Sequence, residues 1–170
     1  FKMPHASGRY LEVARYDGDV VHYREQLGSH PNSWRDNTAF RGVAGLTSTG
    51  ADEKNEITWS KDPASIFPLK VGAVHEFDIV AKSSKGTVQT GRFRLEIGQG
   101  PVGFGVGPCG YEVWPLKREI VWIEKGFKLT GTDYWSPALN IYLRRDIVSH
   151  MPGKAPASIT LDYDTIESRP

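Results

Sequence analysis

Cysteine is nearly missing from this chain of 170 residues: Cys109 stands alone. A single thiol excludes an intrachain disulfide framework and decides little about compartment, because many cytosolic and many exported proteins lack disulfides. Long apolar runs are missing too, and nothing approaches the roughly 18–20 residues that a helical membrane span requires. Charge of one sign is not in excess. Lys and Arg number 21 against 20 acidic residues, a net charge of +1, which leaves no electrostatic footprint for nucleic acid and no strongly acidic surface. None of Asn32, Asn37, Asn55 and Asn140 stands in an N-x-S/T sequon, so N-glycosylation has no acceptor. The opening residues, Phe1 to His5, hold no apolar stretch of the signal-peptide kind,. A start at Phe1 reads as a trimmed end, with which a removed leader or lipid anchor is compatible.

What the chain has in quantity is Gly (18), Pro (11) and aromatics (11%), a composition of short strands joined by turns. Period-2 alternation dominates. Leu139, Ile141, Leu143 and Ile147 alternate with Asn140, Tyr142, Arg144 and Asp146, which predicts a half-buried strand. Residues 159–163 and 87–97 alternate in the same way, 73–82 and 109–117 are further strand candidates, and Ile120–Ile123 is apolar on both faces, as a central strand is. Asp17-Gly18 predicts a hairpin between 10–16 and 19–25; Ser83–Gly86 and Lys125-Gly126 predict two more. Helical periodicity is almost absent, and the best candidate is a turn or two at Asp62-Pro63-Ala64-Ser65, with Asp as cap and Pro at the first helical position. Residues 28–55 read as an irregular excursion with one weak strand near 40–46. Residues 1–170 are therefore expected to form a single all-β domain, an antiparallel sandwich or an open or closed barrel of about eight to ten strands with little helix.

Motifs for chemistry are weak. Gly98-Gln99-Gly100-Pro101-Val102-Gly103 spells G-x-G-x-x-G, but a dinucleotide fingerprint needs a helix next, and Phe104-Gly105-Val106-Gly107-Pro108 cannot sustain one. A loop or bulged strand with close backbone approach is the better reading. His5, His22, His30, His75 and His150 show no ligand spacing with one another or with Cys109, so no metal and no cofactor are expected. Gly45–Gly50 misses the nucleophile-elbow spacing. Cys109 has no predicted helix N-terminus to lower its pKa, and no carboxylate spacing marks a glycosidase pair. No catalytic residue is assigned.

The aromatics carry more. Trp114, Trp122, Tyr134 and Trp135 fall near Lys117, Arg118, Arg144 and Arg145, a combination that suits a sugar or an amphipathic ligand. The competing reading is an ordinary sheet core with cross-strand aromatic pairs. Trp114, Arg118, Tyr134 and Arg144 are the candidate ligand-binding residues. Tyr134 and Trp135 are neighbours in an extended segment, so they point to opposite sides; Trp135 is expected inside and Tyr134 at a rim beside Arg144 or Arg118.

Arg15-Tyr16-Asp17-Gly18, Phe67-Pro68-Leu69-Lys70-Val71-Gly72 and Tyr134-Trp135-Ser136-Pro137, in that order and spacing, resemble a broad group of exported bacterial proteins of unknown function with open, curved β-sheet folds. The similarity covers about two-thirds of the chain. It departs where Pro108-Cys109-Gly110 and Trp114-Pro115-Leu116 stand in place of a small-residue Ala-Gly-Thr-Phe turn. The resemblance implies a periplasmic or lipid-anchored protein without known catalysis, and it transfers no catalytic residue. Pro68 and Pro115 are expected at strand starts or edges and Pro137 at a corner. The leading expectation is a monomeric, non-catalytic envelope protein that binds a glycan, lipid, peptide or protein partner on an aromatic-lined sheet surface, with 28–55 as a flap. Two alternatives stand beside it: a hydrolase built from distant carboxylates and histidines, and an assembly protein that pairs through an exposed strand edge.

Overall fold

A computed structural model describes residues 1–26 and 33–167. Residues 28–32 of the excursion, His30 and Pro31 among them, lie outside the described residues. The described residues form thirteen antiparallel strands: β1 (Lys2–Pro4), β2 (Tyr10–Asp17), β3 (Val20–Gln26), β4 (Trp34–Phe40), β5 (Ala44–Thr49), β6 (Lys54–Trp59), β7 (Val74–Ser83), β8 (Val88–Ile97), β9 (Val102–Val106), β10 (Cys109–Trp122), β11 (Phe127–Ser136), β12 (Ile141–His150) and β13 (Ala157–Leu161). They make one open sheet in chain order, apart from β9, which pairs β10 alone. The all-β reading holds; the number of strands and the sandwich do not.

The additional strands come from stretches that looked irregular. Residues 34–49 are a hairpin, β4 and β5, that turns at Arg41-Gly42-Val43, with Arg41 and Gly42 both at positive φ. A Cβ at Gly42 would lie 2.2 Å from the Asn140 carbonyl oxygen, so the turn rests directly on the β11–β12 corner. The glycine run is a break in a strand line. Ile97 pairs Leu116 and Val102 pairs Val113, so five steps on one side match three on the other and the register slips by two residues. Gly98 donates its N–H to the Pro115 carbonyl at 2.8 Å, where a Cβ would fall 2.6 Å from the same oxygen. Pro115 is inside β10 rather than at a strand start. It is tolerated because it lies at the seam between the β8 and β9 pairings, where no ladder asks for its missing N–H,.

The predicted turns stand, with one shifted by a residue. The β2–β3 loop is Gly18-Asp19; Gly18 alone has positive φ (58°), so the turn is not type I′, which needs it at both positions. The one helical element among the described residues is a 3₁₀ turn, Pro63–Ile66, whose cap Asp62 accepts the Ala64 N–H at 2.9 Å. Beyond β13 the chain returns to β1: Lys2 and Glu167 exchange two backbone hydrogen bonds of 2.9 and 2.8 Å. The two ends of the ladder are thus laced together.

Two apolar cores result. The first gathers Met3, Leu11, Val13, Val21, Tyr23, Ala39, Val106, Val113 and Ile141–Leu143. The second gathers Ile66, Phe77, Ile79, Phe93, Leu95, Ile97, Leu116 and Trp135. Val113 and Trp114, adjacent in β10, feed one core each, as strand alternation requires. Trp135 is 4% exposed, its Nε1–H donates to the Arg41 carbonyl at 2.7 Å, and its ring lies 5.4 Å from Phe67. Trp135→Ala is expected to cost about 3–5 kcal/mol of stability, as core aromatic deletions do. Tyr134→Phe, which removes a hydroxyl that holds no hydrogen bond among the described residues, should leave stability within about 0.5 kcal/mol of wild type. Denaturant midpoints of the two variants check the pair.

Candidate functional site

A buried charge network separates the two cores. In β12 the register slips between Tyr134/Arg144 and Trp135/Tyr142, leaving Leu143 as the extra residue of a bulge. The bulge lets Tyr142 and Arg145 both face inward, Tyr142 opposite Trp135 and Arg145 opposite Asp133,. Arg118 of β10 shares its face with Leu116, Ile120 and Trp122. Asp133 of β11 is shared by two guanidinium groups: Arg118 Nε lies 3.1 Å from Oδ2, and Arg145 Nε donates to Oδ1 at 3.0 Å. Arg145 also lies 3.8 Å from Glu25 of β3, a strand far from β12 along the sheet. The Tyr142 hydroxyl donates to the Glu25 carboxylate, and Asn37 Nδ2 donates to its Oε2 at 3.3 Å. The network therefore crosses the interior from β3 to β10–β12.

The two arginines differ although they share a carboxylate. For Arg118, burial is the main effect and the Arg145 cation adds to it, so its guanidinium is held below its ordinary value against the pull of Asp133. For Arg145, burial also opposes the charge, but Asp133, Tyr142 and Glu25 outweigh it and hold the group well above. Tyr23, Tyr142 and Tyr163 are all raised. Burial dominates in each; Glu25 adds to it for Tyr23 and Tyr163, and for Tyr142 it adds against the opposing Arg145.

Against this network lies a cavity of about 160 Å³, lined by Tyr23, Arg118, Tyr142 and Arg145 together with Ile57, Trp59, Phe93 and Trp122. Trp59 packs edge-on to Phe77 and Phe93 at 5.3 and 4.9 Å, and its Nε1–H is committed to the Gly45 carbonyl at 2.8 Å. The terminal nitrogens of Arg118 make no hydrogen bond among the described residues, and its ion pair with Asp133 is formed at Nε, 3.1 Å away. The site can thus hold a small body against aromatic walls and offer it guanidinium donors.

The four residues expected to bind a ligand fall into two pairs on opposite faces. Trp114 and Arg118 share the inner face of β10: Trp114 is half-buried opposite Trp135 on the second core, and Arg118 lines the cavity. Tyr134 and Arg144 are partners on the opposite face, where Tyr134 packs against the first core, with the Arg144 guanidinium 5.7 Å over the Tyr134 ring and Phe104 stacked on it at 5.8 Å. Of the network, Glu25, Asp133 and Tyr142 escaped the sequence reading as site residues, and Arg145 entered it only as a charged neighbour of the aromatics. Their signal was a charge in an apolar phase: Glu25 after Val21 and Tyr23, Asp133 before Trp135, Arg145 between Leu143 and Ile147.

Residues that a hydrolase would use meet elsewhere. His5 Nδ1 lies 2.7 Å from Ser7 Oγ, and His5 Nε2 lies 3.6 Å from Asp162. However, the Arg9 guanidinium donates to the same Ser7 Oγ at 3.0 Å and stands 3.5 Å from Nδ1. The Ser7 hydroxyl is thus engaged by Arg9 as well as by His5. Among the described residues no group of three His, Cys, Asp or Glu side chains is arranged to hold a metal ion, and no helix is long and apolar enough to cross a membrane. Cys109 is exposed at the start of β10. Comparison with protein-family models, with curated proteins and with solved structures finds no match.

Asp133→Ala leaves two buried guanidinium groups facing each other and should cost about 3–5 kcal/mol, the usual consequence of breaking a buried pair. Adding Arg118→Met should recover part of the loss in a double-mutant cycle read by denaturant midpoints. The tyrosines set the alkaline limit. Their folded pKa values are raised, so the folded state keeps protons that the unfolded chain releases above about pH 10. This stabilisation is complete below about pH 10 and is lost as pH rises towards the folded values. The phenolate absorbance of Tyr23, Tyr142 and Tyr163 should appear only together with unfolding.

Proposed function

We propose that this chain is a non-catalytic binding domain of the cell envelope that holds a small, largely apolar molecule in its interior. The observation that carries the reading is the cavity of about 160 Å³, lined by aromatic side chains and by a guanidinium whose terminal nitrogens have no hydrogen-bond partner among the described residues. Apolar cavities of about 150 Å³ take up benzene-sized molecules, so the ligand is of that scale. A glycan, a lipid chain or a peptide exceeds it and would have to use the partly buried Tyr134–Arg144–Phe104 cluster on the opposite face instead. The envelope location rests on the resemblance of the Phe67–Gly72 and Tyr134–Pro137 runs to exported proteins. The assembly alternative rests on β9, an edge strand without a charged side chain, of the kind that can pair with another chain,.

Gly45 offers a direct test. It lines the cavity in β5 without positive φ, and a Cβ there would meet only Ile57 Cδ1, at 3.5 Å. Gly45→Val should fold, since a β-branched residue suits a strand, while it takes up cavity space. A thermal-shift screen of benzene-sized probes is expected to stabilise the wild type and not Gly45→Val. No shift for any probe, or equal shifts in both proteins, would count against interior binding.

A further inference from the structure

We infer that the molecule held in this cavity is electrically neutral and carries an acceptor oxygen of the ketone, ester or amide carbonyl class, received by the terminal nitrogens of Arg118. The inference rests on the interior-binding reading and adds the chemistry of the ligand.

A guanidinium has five N–H donors and no acceptor, so whatever meets Arg118 must accept. Its side chain is 11% exposed and its Nε is taken by Asp133. Its terminal nitrogens make no hydrogen bond among the described residues, and Arg118 lines a space shared with Ile57, Trp59, Phe93 and Trp122. Arg145 is the more fully partnered of the two cations, because Asp133, Glu25 and the Tyr142 ring at 4.0 Å surround it.

Charge balance then selects among acceptors. Arg118 and Arg145 carry two positive charges, Asp133 and Glu25 two negative ones, and the sum inside the protein is zero. A carboxylate ligand would bring a further buried charge without a counter-charge, which is costly in a low-dielectric interior. An ammonium ligand would meet two cations and find no free acceptor on Arg118. A neutral carbonyl takes the hydrogen bonds and leaves the balance intact, while its apolar body meets the aromatic side chains.

The test uses the whole chain and four probes: cyclohexanone, toluene of similar size, benzoate and benzylammonium. Affinities are read from amide chemical shifts of the cavity residues. Cyclohexanone should bind about tenfold or more tighter than toluene, the gain expected of a hydrogen bond to a charged donor, and tighter than either ion. Arg118→Lys keeps the charge and the pairing to Asp133 but withdraws the planar pair of donors, and should reduce the ketone's advantage over toluene. Arg118→Met should abolish that advantage. Equal binding of cyclohexanone and toluene to wild type would overturn the acceptor and leave interior binding standing. Tightest binding by benzoate would overturn neutrality. Failure of all four probes would overturn the interior reading itself.

Discussion

Asp133 holds two guanidinium groups in the interior, and the surrounding architecture is arranged so that it can. Taking a carboxylate and two arginines out of water costs several kcal/mol per ion unless each is met at close range. Three adjacent strands meet that demand. β11 supplies Asp133, β10 supplies Arg118 from one side, and β12 supplies Arg145 from the other. The second carboxylate, Glu25, comes from β3 across the interior and balances the second guanidinium. Removing Asp133 would leave Arg118 buried without its ion pair. The network therefore constrains which strands face each other more sharply than the apolar contacts on either side, which tolerate sliding.

The bulge at Leu143 is the device that makes this compatible with a sheet. In an unbroken strand, Tyr142 and Arg145 point to opposite faces. One extra residue brings both to the inside, so that Tyr142 reaches Glu25 while Arg145 reaches Asp133. Leu143 then joins the first core instead of the cavity. Close to this bulge, the β4–β5 turn rests on the β11–β12 corner through Gly42, and Arg41 receives the Trp135 indole hydrogen. These contacts join residues about a hundred positions apart and seat the excursion on the second core.

The cavity is lined from both cores and from the charge network. Charged side chains hold their spacing by pairing, whereas Trp59 and Phe93, both in the lining, hold theirs by edge-on packing with each other and with Phe77. Closing the space would bury Arg118 against hydrocarbon, which is costly for a charge.

Alternation, glycine turns and proline positions are local properties, and from them the chain by itself determined an antiparallel all-β fold, most hairpins, the capped 3₁₀ turn at Pro63 and the inward side of Trp135. It understated the strands because Trp34–Phe40, Ala44–Thr49 and Val102–Val106 are polar or glycine-rich, and their pairing is decided by neighbouring strands rather than by their own propensity. Arg118 was visible as a candidate, but its partner could not be read: Asp133 and Arg145 meet it only through sheet register, and Glu25 only through curvature that brings β3 across to β12. Tyr134 and Arg144 looked like members of the same site and lie on the other face, because Tyr134 is one residue out of phase with Asp133 and Trp135. Which face a strand presents follows from neighbours two residues apart; which charges meet inside depends on register, a bulge and closure over many residues, and tertiary structure alone supplies those.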